Sequence, residues 1–262
     1  MSHVHLVIPC FCESSRIGKF LPALCEEMIA LKDVSVLVVD DGSGAEEREA
    51  MQKLLMPLQE HFPCLKPPLF LPQNLGKGGA IYQGWHIHDN AEWLAFVDAD
   101  GSCSAGEVKR LIELARSTPD KVGALFASRI KILGRTVDRQ LRRHLIGRVY
   151  ATLVSEGLDI PVYDSQCGLK LVRRRAFEKI KPVLQLNGFA FDIELLAALL
   201  DSGVKVEEMP IDWHETQGSK LHLVRDSIRM FRDVLMVRQR RFSLEWTSLM
   251  ASQARPTPIT HA

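Results

Sequence analysis

The amino-acid sequence predicts an α/β protein whose mostly parallel sheet is flanked by helices. Short apolar runs alternate with longer segments in which apolar residues recur at helical spacing, and this alternation is typical of such a sheet. Polar clusters follow three of the predicted strands, at residues 10–13, 40–43 and 98–100. Ligands of parallel sheets bind at the carboxyl ends of the strands, so we expect these clusters to meet at one edge.

The predicted elements follow this alternation along most of the chain. In the first half we predict strands at 3–8, 34–39, 69–71, 93–97 and 122–128, and helices at 17–31, 45–61, 80–90 and 105–116. In the second half we predict a basic helix at 138–156, strands at 169–172 and 204–211, a helix ending near residue 200, and a long basic helix at 220–241.

Composition excludes several classes of protein. The 262 residues are 46% hydrophobic and 25% charged with a net charge of +1, as in an ordinary globular domain. No apolar run reaches the ~18 residues of a membrane span, and no signal peptide pattern precedes the first strand. The six cysteines form no C-x-x-C pair, so we expect a reduced, cytoplasmic protein. The charge balance also argues against nucleic acid as a partner.

Two carboxylates end the most apolar of the predicted strands. Asp98 and Asp100 follow the run at 93–97, and side chains two residues apart share a face of a strand. Two carboxylates so close repel each other unless a cation or a proton lies between them. Oxygen ligands of this kind suit Mg²⁺ or Mn²⁺, whose other ligands come from substrate phosphates and water. The alternative is a polar turn after a strand.

Two further strand-end motifs have a binding and a structural interpretation. The glycine-rich loop at 74–79 contains Lys77 and opens a helix, so small residues there would let backbone N–H groups approach a phosphate. The alternative is a turn with a solvated lysine. Asp40 and Asp41 precede a glycine, and the alternative to binding is an Asx turn that caps the next helix through Asp41 or Ser43.

Together with these motifs, several longer segments resemble the family 2 glycosyltransferases of GT-A fold. The chain is most similar to their dolichyl-phosphate β-glucosyltransferase and polyprenyl-phosphate sugar synthase group, from residue 4 to about 238. The segments that carry the closer resemblance are NLGKG at 74–78, SR at 128–129, DSQCGLKL at 164–171, FDIEL at 191–195, GSKL at 218–221 and RDSIR at 225–229.

The resemblance implies an inverting transferase that moves a hexose, glucose from UDP-glucose, onto a polyprenyl phosphate. Two alternatives stay open: a soluble or glycolipid hydroxyl acceptor, and an inactive protein that binds a nucleotide sugar. The resemblance also implies one GT-A domain at 1–241. Its nucleotide-sugar-binding half would span 1–129 and its acceptor half 130–241, with a partly disordered tail at 242–262.

The same resemblance assigns the site residues. In the first loop Pro9 and Glu13 match the family pattern, whereas Cys10 does not. Asp41 would accept the uracil N–H. The nucleotide-sugar residues would be Pro9, Cys10, Glu13, Asp40, Asp41, Lys77, Asp98, Ala99, Asp100 and Gln166, with Asp98 and Asp100 holding Mg²⁺ or Mn²⁺.

The remaining assignments concern catalysis and the acceptor. Asp192 and Glu194 would act as a base or position the sugar, and the alternative is that they cap and start a helix. Arg129 would be catalytic and, with Arg142 and Arg143, would clamp an acceptor phosphate. A solvated basic helix face is the alternative for Arg142 and Arg143.

The last predicted helix is basic and amphipathic. Arg238, Arg240 and Arg241 stand close together, and Phe242 and Trp246 follow. Such a segment can lie on an anionic membrane surface, so we expect a peripheral protein on the cytoplasmic face of a membrane. The alternative is an apolar stripe that packs on the sheet.

Overall fold

The computed structural model describes residues 2–87, 90–138, 158, 160, 163–214, 216, 223–243, 246–248 and 250. Helices and strands alternate as the sequence predicts, and the α/β fold class is confirmed. In chain order the described elements are β1 (Val4–Cys10), α1 (Ser14–Ala30), β2 (Val34–Asp40), α2 (Ala45–His61), β3 (Leu69–Phe70), α3 (Lys77–Ile87), β4 (Trp93–Val97), α4 (Ala105–Ser117), β5 (Val122–Ser128), β6 (Val137–Asp138), β7 (Leu169–Arg173), α5 (Arg174–Ile180), a 3₁₀ helix (Lys181–Val183), α6 (Phe191–Asp201), β8 (Lys205–Pro210), β9 (Trp213–His214) and α7 (Leu223–Arg241).

Seven of the described strands form one sheet in the order β3-β2-β1-β4-β7-β5-β8. β7 runs antiparallel to its neighbours β4 and β5, and the other described pairs in this sheet are parallel. A second, two-stranded parallel sheet joins β6 to β9. The parallel strands β1, β2 and β4 end at the same edge, which gathers the polar clusters that follow them in sequence.

β7 brings a distant part of the chain into the middle of the sheet. Its Lys170 pairs with Phe96 of β4 and with Phe126 of β5. Because β7 is antiparallel, its first residues lie beside the last residues of β4. The Asp98 backbone N–H accordingly donates to the Gly168 carbonyl at 2.9 Å. The turn before β7 therefore adjoins the carboxylates that follow β4.

Apolar side chains on both faces of the sheet hold the helices in place. Side chains alternate along β4, so that Trp93 and Val97 pack with α1, α2 and α4 on one face. Leu94 and Phe96 pack with α3, α5 and α6 on the other face. Fully burying one such side chain contributes roughly 1.5–3 kcal/mol. The two apolar layers fix the sheet edge at which the polar clusters meet.

Most predicted boundaries shift by a few residues, and two of the differences bear on the site and the second sheet. α3 begins at Lys77 rather than at residue 80, so the glycine-rich segment forms its first turn. Asp138 was placed in a helix, which is wrong: it lies in β6, opposite His214 of β9. The rest of the predicted helix at 138–156 lies outside the described residues, as do the predicted segment at 218–221 and residues 251–262 of the predicted tail.

α7 ends in a cluster that we call the helix brace, formed by Glu194, Asp201, Arg240, Arg241 and Trp246. Arg241 donates to both carboxylate oxygens of Asp201. The buried Trp246 indole donates to Asp201 at 2.9 Å, and the Arg240 guanidinium lies 5.5 Å from its ring. The prediction that Arg240, Arg241 and Trp246 dock on a membrane is wrong, because their polar groups bind Glu194 and Asp201 within the protein.

Within the part of the chain that the structure describes, no helix combines the length and the apolarity that crossing a membrane requires.

Candidate active site

Two carboxylates follow β4 at the carboxyl edge of the sheet. Asp98 forms an ion pair with Lys77, with 2.6 Å between Nζ and Oδ1. Asp100 accepts the Ser102 backbone N–H at 2.9 Å, and the Arg16 guanidinium lies 3.5 Å from its other oxygen. Each carboxylate keeps 29% of its side-chain surface exposed. Both therefore have a cationic neighbour and still face solvent.

Gly168 leaves the space that the Asp98 side chain fills. A Cβ atom placed on Gly168 would lie 2.1 Å from Asp98 Oδ2, far inside van der Waals distance. Any other residue at 168 would therefore displace the Asp98 carboxylate, so glycine is required there for a steric reason.

Charged side chains of alternating sign lead from the partly exposed Asp98 to the buried Lys170; we call Lys77, Asp98, Asp192 and Lys170 the strand-end cluster. Asp192, in the first turn of α6, lies 2.8 Å from the Lys170 ammonium. Burial raises the pKa of the Asp192 carboxyl, and Lys170 and Lys77 oppose that shift. Burial acts to lower the pKa of Lys77, but Asp98, Asp192 and Asp100 outweigh it, so the pKa is raised. Lys77 is therefore charged at neutral pH.

The carboxylates after β4 suit a magnesium or manganese ion. Asp98 and Asp100 offer only oxygen ligands, and each has a cationic side chain beside it, as expected where negative charge needs compensation. Among the described residues, no group of three or more His, Cys, Asp or Glu side chains could hold a metal. An ion here would therefore take its other ligands from a diphosphate and water.

Asp41 binds the glycine-rich loop. Its carboxylate accepts the backbone N–H groups of Leu75 and Gly76 at 2.7 and 2.8 Å. Burial raises the pKa of Asp41, and these two donors oppose the shift. The Gly79 N–H donates to the Asn187 carbonyl. The expectation that backbone N–H groups of this loop bind a phosphate is wrong for these three, because protein acceptors already occupy them.

Asp40, at the end of β2, is fully buried. Its Oδ1 accepts the Ser43 backbone N–H at 2.9 Å, and within the described structure its Oδ2 has no hydrogen-bond partner. The Ser43 hydroxyl accepts the Cys12 N–H at 2.8 Å. Asp40 and Ser43 thus tie the end of β2 to the loop after β1. The alternative that Asp41 or Ser43 caps the next helix is wrong, because Gly44 is the N-cap of α2 and no side chain caps it.

The three residues predicted from the first loop differ in their access to the site. Pro9 lies inside β1 and is paired with β2. Cys10 is 2% exposed, so its thiol is closed to a ligand and only its backbone remains for contact. Glu13 lies 3.3 Å from the Arg16 guanidinium, which also lies beside Asp100. Glu13 is therefore the member of the three whose side chain reaches the strand-end carboxylates, through Arg16.

Arg129, just after β5, is held by Asp164 in a bidentate pair. Its Nε and Nη2 lie 2.6 and 2.7 Å from the two carboxylate oxygens, and its backbone N–H donates to the same group. The guanidinium lies 5.1 Å from the Trp213 ring. Among the described residues these contacts do not use Nη1, so one nitrogen of the guanidinium is available to a ligand. Arg142 and Arg143 lie outside the described residues.

Glu194 does not belong with Asp192. Its fully buried carboxylate accepts the backbone N–H groups of Gln185 and Leu186 at 2.8 and 2.7 Å and also pairs with Arg240. The catalytic prediction for Glu194 is corrected by these contacts, because every oxygen is committed to the protein. Ala190 is the helix N-cap, so the expected cap by Asp192 is also wrong.

The remaining predicted residues line the turn around the carboxylates. Gln166 is half-buried and donates to the Phe189 carbonyl at 3.4 Å. Ala99 is buried between the two carboxylates of the strand end. Burial raises the pKa of Cys167 to about 12, which keeps its thiol protonated and unreactive at neutral pH.

Sequence reasoning missed two site residues, Arg16 and Lys170. Arg16 stands in the first turn of α1, and its position gave no signal. Lys170 did give one, because it is a charged residue between Leu169 and Leu171 in a strand that is otherwise apolar. A lysine buried in such a strand must have an acidic partner nearby.

The fold and the strand-end carboxylates define a class of protein. The sequence profile described as "Glycosyl transferase family 2" matches residues 5–181 of this chain. The chain therefore belongs to the family 2 glycosyltransferases.

Curated relatives extend the similarity over nearly the whole chain. The chain is 32% identical over 252 residues to "Dolichyl-phosphate beta-glucosyltransferase" of Saccharomyces cerevisiae, covering 89% of this chain and 73% of that protein. The Homo sapiens protein of the same name is 27% identical over 255 residues, covering 92% and 76% of the two chains. The predicted resemblance to this group is confirmed.

Solved structures share the fold. Glucosyl-3-phosphoglycerate synthase from Mycobacterium tuberculosis, in complex with Mn²⁺, UDP and glucosyl-3-phosphoglycerate, superimposes with a TM-score of 0.62 at 14% identity, covering 92% of this chain and 80% of that one. Mannosyl-3-phosphoglycerate synthase from Rubrobacter xylanophilus gives 0.63 at 16% identity, covering 93% and 75%. The predicted GT-A fold is confirmed.

Proposed function

We propose that this chain transfers glucose from UDP-glucose to a polyprenyl phosphate, with inversion at the anomeric carbon. The observation that carries the proposal is the pair of carboxylates after β4, Asp98 and Asp100, which suits a metal-bound diphosphate, together with the buried Asp192 carboxylate of the strand-end cluster. The curated relatives named as dolichyl-phosphate β-glucosyltransferases support the choice of sugar and acceptor.

The donor diphosphate lies over the end of β4. Asp98 and Asp100 would hold a divalent ion, which would supply positive charge against the negative charge of the departing UDP. Lys77 keeps Asp98 in place through the 2.6 Å ion pair and adds positive charge beside the diphosphate. The Mn²⁺ and UDP in the M. tuberculosis complex support this assignment by analogy of fold.

The uracil lies at the end of β2. Each oxygen of the Asp41 carboxylate uses one lone pair on the glycine-rich loop and retains another. Asp41 therefore fixes the loop and accepts the uracil N–H at the same time. Asp40, Pro9, Cys10 and Glu13 shape this end of the site, with Cys10 acting through its backbone.

The acceptor enters on the side of β7 and α6. A phosphate oxygen is already anionic and needs no base. Asp192 then positions the hydroxyl groups of the glucose, next to Gln166 and Ala99. Arg129 offers Nη1, which its contacts with Asp164 do not use, to the acceptor phosphate while Asp164 holds the rest of the guanidinium. Arg142 and Arg143 complete the clamp.

The chain meets the membrane through the exposed side of α7. Phe231 and Leu235 lie one turn apart on α7, Phe242 follows the end of the helix, and 42%, 47% and 81% of their surfaces are exposed. Arg232 and Arg238 are exposed on either side of this line. Apolar residues flanked by arginines suit an anionic lipid surface and give weak, reversible attachment. This face, which we call the α7 stripe, replaces the helix brace in that role.

A second candidate function changes only the acceptor. A buried carboxyl with a raised pKa is suited to take a proton, and burial gives Asp192 this property. It would then act as a base on a hydroxyl acceptor, soluble or lipid-linked.

The test uses full-length protein, UDP-[¹⁴C]glucose and Mg²⁺ or Mn²⁺. We expect labelled lipid with a polyprenyl phosphate, none with the matching polyprenol, and loss of activity in EDTA. Transfer to polyprenol would favour the hydroxyl acceptor. UDP binding without transfer to either lipid would favour an inactive nucleotide-sugar-binding protein.

A further inference from the structure

Lys170 is a fully buried lysine in the middle of the sheet. Its register neighbours are the two phenylalanines Phe96 and Phe126. Removing an ammonium group from water costs several kcal/mol unless charged and hydrogen-bonding partners compensate. A leucine would fill a strand position of this kind at no such cost, so the lysine needs a reason beyond packing.

The Lys170 ammonium group contacts the Asp192 carboxylate, one backbone carbonyl and two aromatic rings. Its Nζ lies 2.8 Å from Asp192 Oδ1 and donates to the Cys167 carbonyl at 2.7 Å. The rings of Phe96 and Phe126 lie 5.3 and 5.0 Å away, within the range of a cation–π interaction. These four contacts leave the ammonium group little freedom to move. Because the ammonium group is paired with Asp192, they also restrict the Asp192 carboxylate.

Asp192 is placed between two lysines of different character. Lys170 is fully buried, whereas Lys77 belongs to α3, is bound to Asp98 and retains 16% of its side-chain exposure. Asp98 adds a repulsive negative charge toward Asp192. Because Lys77 forms its ion pair with Asp98, Lys170 is the lysine that pairs directly with Asp192.

We propose that Lys170 is a positioning residue that fixes the Asp192 carboxylate in its working orientation for glucosyl transfer. The inference rests on the proposed function, since it assigns Lys170 to the carboxylate that contacts the sugar. Lys170 has no exposed side-chain surface, whereas Asp192 keeps 3% of its side-chain surface exposed, so a substrate can reach Asp192 but not Lys170. Its effect on the reaction must therefore pass through Asp192.

The experiment is a double-mutant cycle on full-length protein with UDP-[¹⁴C]glucose and a polyprenyl phosphate. We expect Lys170→Met to lower kcat about 100-fold, the loss typical of a misplaced reacting group, with the KM for UDP-glucose within about twofold. Lys170→Arg, which keeps the charge, should recover most of that loss. In an Asp192→Asn background, Lys170→Met should have no further effect on kcat.

Val172→Ala is the matched control, because Val172 is buried two residues further along the same face of β7. It should lower the thermal midpoint and leave kcat unchanged. Should Lys170→Met not fold, the neutral pair Lys170→Met/Asp192→Asn removes both buried charges, and its kcat is compared with that of Asp192→Asn.

Several outcomes would overturn the inference. A folded Lys170→Met protein with near-normal kcat would do so, as would an equal loss in the Asp192→Asn background. A loss of UDP affinity that matches the loss of kcat would assign Lys170 to general stability. Wild-type protein that transfers no glucose at all would instead overturn the proposed function on which the inference rests.

Discussion

Two clusters of buried charge meet on α6, and they differ in how completely their carboxylates are satisfied. In the helix brace, Glu194 accepts two backbone N–H groups and one guanidinium, so its hydrogen bonding is complete. In the strand-end cluster, Asp98 has one lysine partner and remains partly exposed. Satisfied carboxylates hold the fold together, whereas incompletely satisfied ones at a sheet edge can still bind a ligand.

The comparison is strongest for two residues of one helical turn. Asp192 and Glu194 are two positions apart, and a helix turns about 100° per residue, so their side chains diverge by about 200°. Asp192 meets Lys170 of β7, and Glu194 meets Arg240 of α7. Their roles therefore separate through geometry, although the sequence presents them as a pair.

The largest expected effect is that of removing one of the two carboxylates after β4. Asp100→Ala should lower kcat roughly 10³-fold, because in the proposed function it removes a ligand of the metal ion that binds the diphosphate. Its carboxylate is partly exposed, so the free energy of unfolding should change by no more than about 1 kcal/mol. Transfer assays and urea unfolding measure the two quantities.

The control is Asp120→Ala, which removes a carboxylate that is 83% exposed and lies outside both clusters. It should alter neither quantity appreciably. Near-normal turnover by Asp100→Ala in the presence of Mg²⁺ or Mn²⁺ would remove Asp100 from the donor site.

The second prediction tests the helix brace. Glu194→Ala leaves Arg240 and two backbone N–H groups without their acceptor, and breaking a buried pair costs about 3–5 kcal/mol. Below the unfolding transition the kcat of the folded fraction should stay near that of the wild type. Chemical unfolding followed by circular dichroism gives the first value, and transfer assays at low temperature give the second.

Glu207→Ala serves as the matched case, since Glu207 pairs with Lys205 at a largely exposed site and such pairs contribute little. A Glu194→Ala protein that is as stable as the wild type but inactive would contradict the structural role of Glu194 and would make it a catalytic candidate again.

The third prediction perturbs the strand-end cluster without removing a charge. In Gly168→Ala the new methyl group would lie 2.1 Å from the present position of Asp98 Oδ2, so the carboxylate must move. A displacement of about 1 Å at a reacting site lowers kcat about 100-fold. Transfer kinetics measure this loss.

Gly106→Ala is the control, because a methyl group there would meet no atom closer than Ser104 Oγ at 4.0 Å. As a glycine within α4 it should gain about 0.5–1 kcal/mol of stability and keep its activity. Equal kinetics for the two variants would mean that the position of Asp98 is not critical.

The positions along the chain of the seven strands in the main sheet, and the edge at which their polar ends meet, could be predicted from sequence because both depend on local patterns. Apolar runs followed by Asp40 or Asp98 give the strand ends, and parallel pairing then brings them together. The partner of each charge could not be predicted in this way. Lys170 reaches Asp192 because β7 inserts antiparallel between β4 and β5, a long-range arrangement that no local pattern encodes.

The C-terminal segment illustrates the same limit. Basic and aromatic residues at 238–246 fit a membrane surface and a packed helix end equally well, since both place charge beside apolar surface. Asp201, 45 residues before Trp246, decides between them by accepting the indole N–H. A partner so far away in sequence cannot be predicted from the residues of the segment alone.

The smallest expected effect separates the helix brace from the α7 stripe. Trp246→Phe keeps the apolar ring but removes the donor to Asp201, and a hydrogen bond to a charged group contributes about 1.5–3 kcal/mol. Arg241 still binds Asp201, so the loss should lie at the lower end of that range. We expect a lower thermal midpoint, unchanged kcat at low temperature and unchanged pelleting with anionic liposomes.

Phe242→Ser is the opposite case within the same short segment. Its side chain is 81% exposed, so its removal should leave the thermal midpoint unchanged while pelleting with anionic liposomes at low salt decreases. Ile29→Ser, at a half-exposed position on α1, controls for a general loss of surface apolarity and should alter neither. If Trp246→Phe reduced pelleting and Phe242→Ser did not, the helix brace rather than the α7 stripe would face the membrane. The contacts of Trp246 with Asp201 and Arg240 argue against that result. The indole could enter a lipid surface only by breaking its hydrogen bond to Asp201.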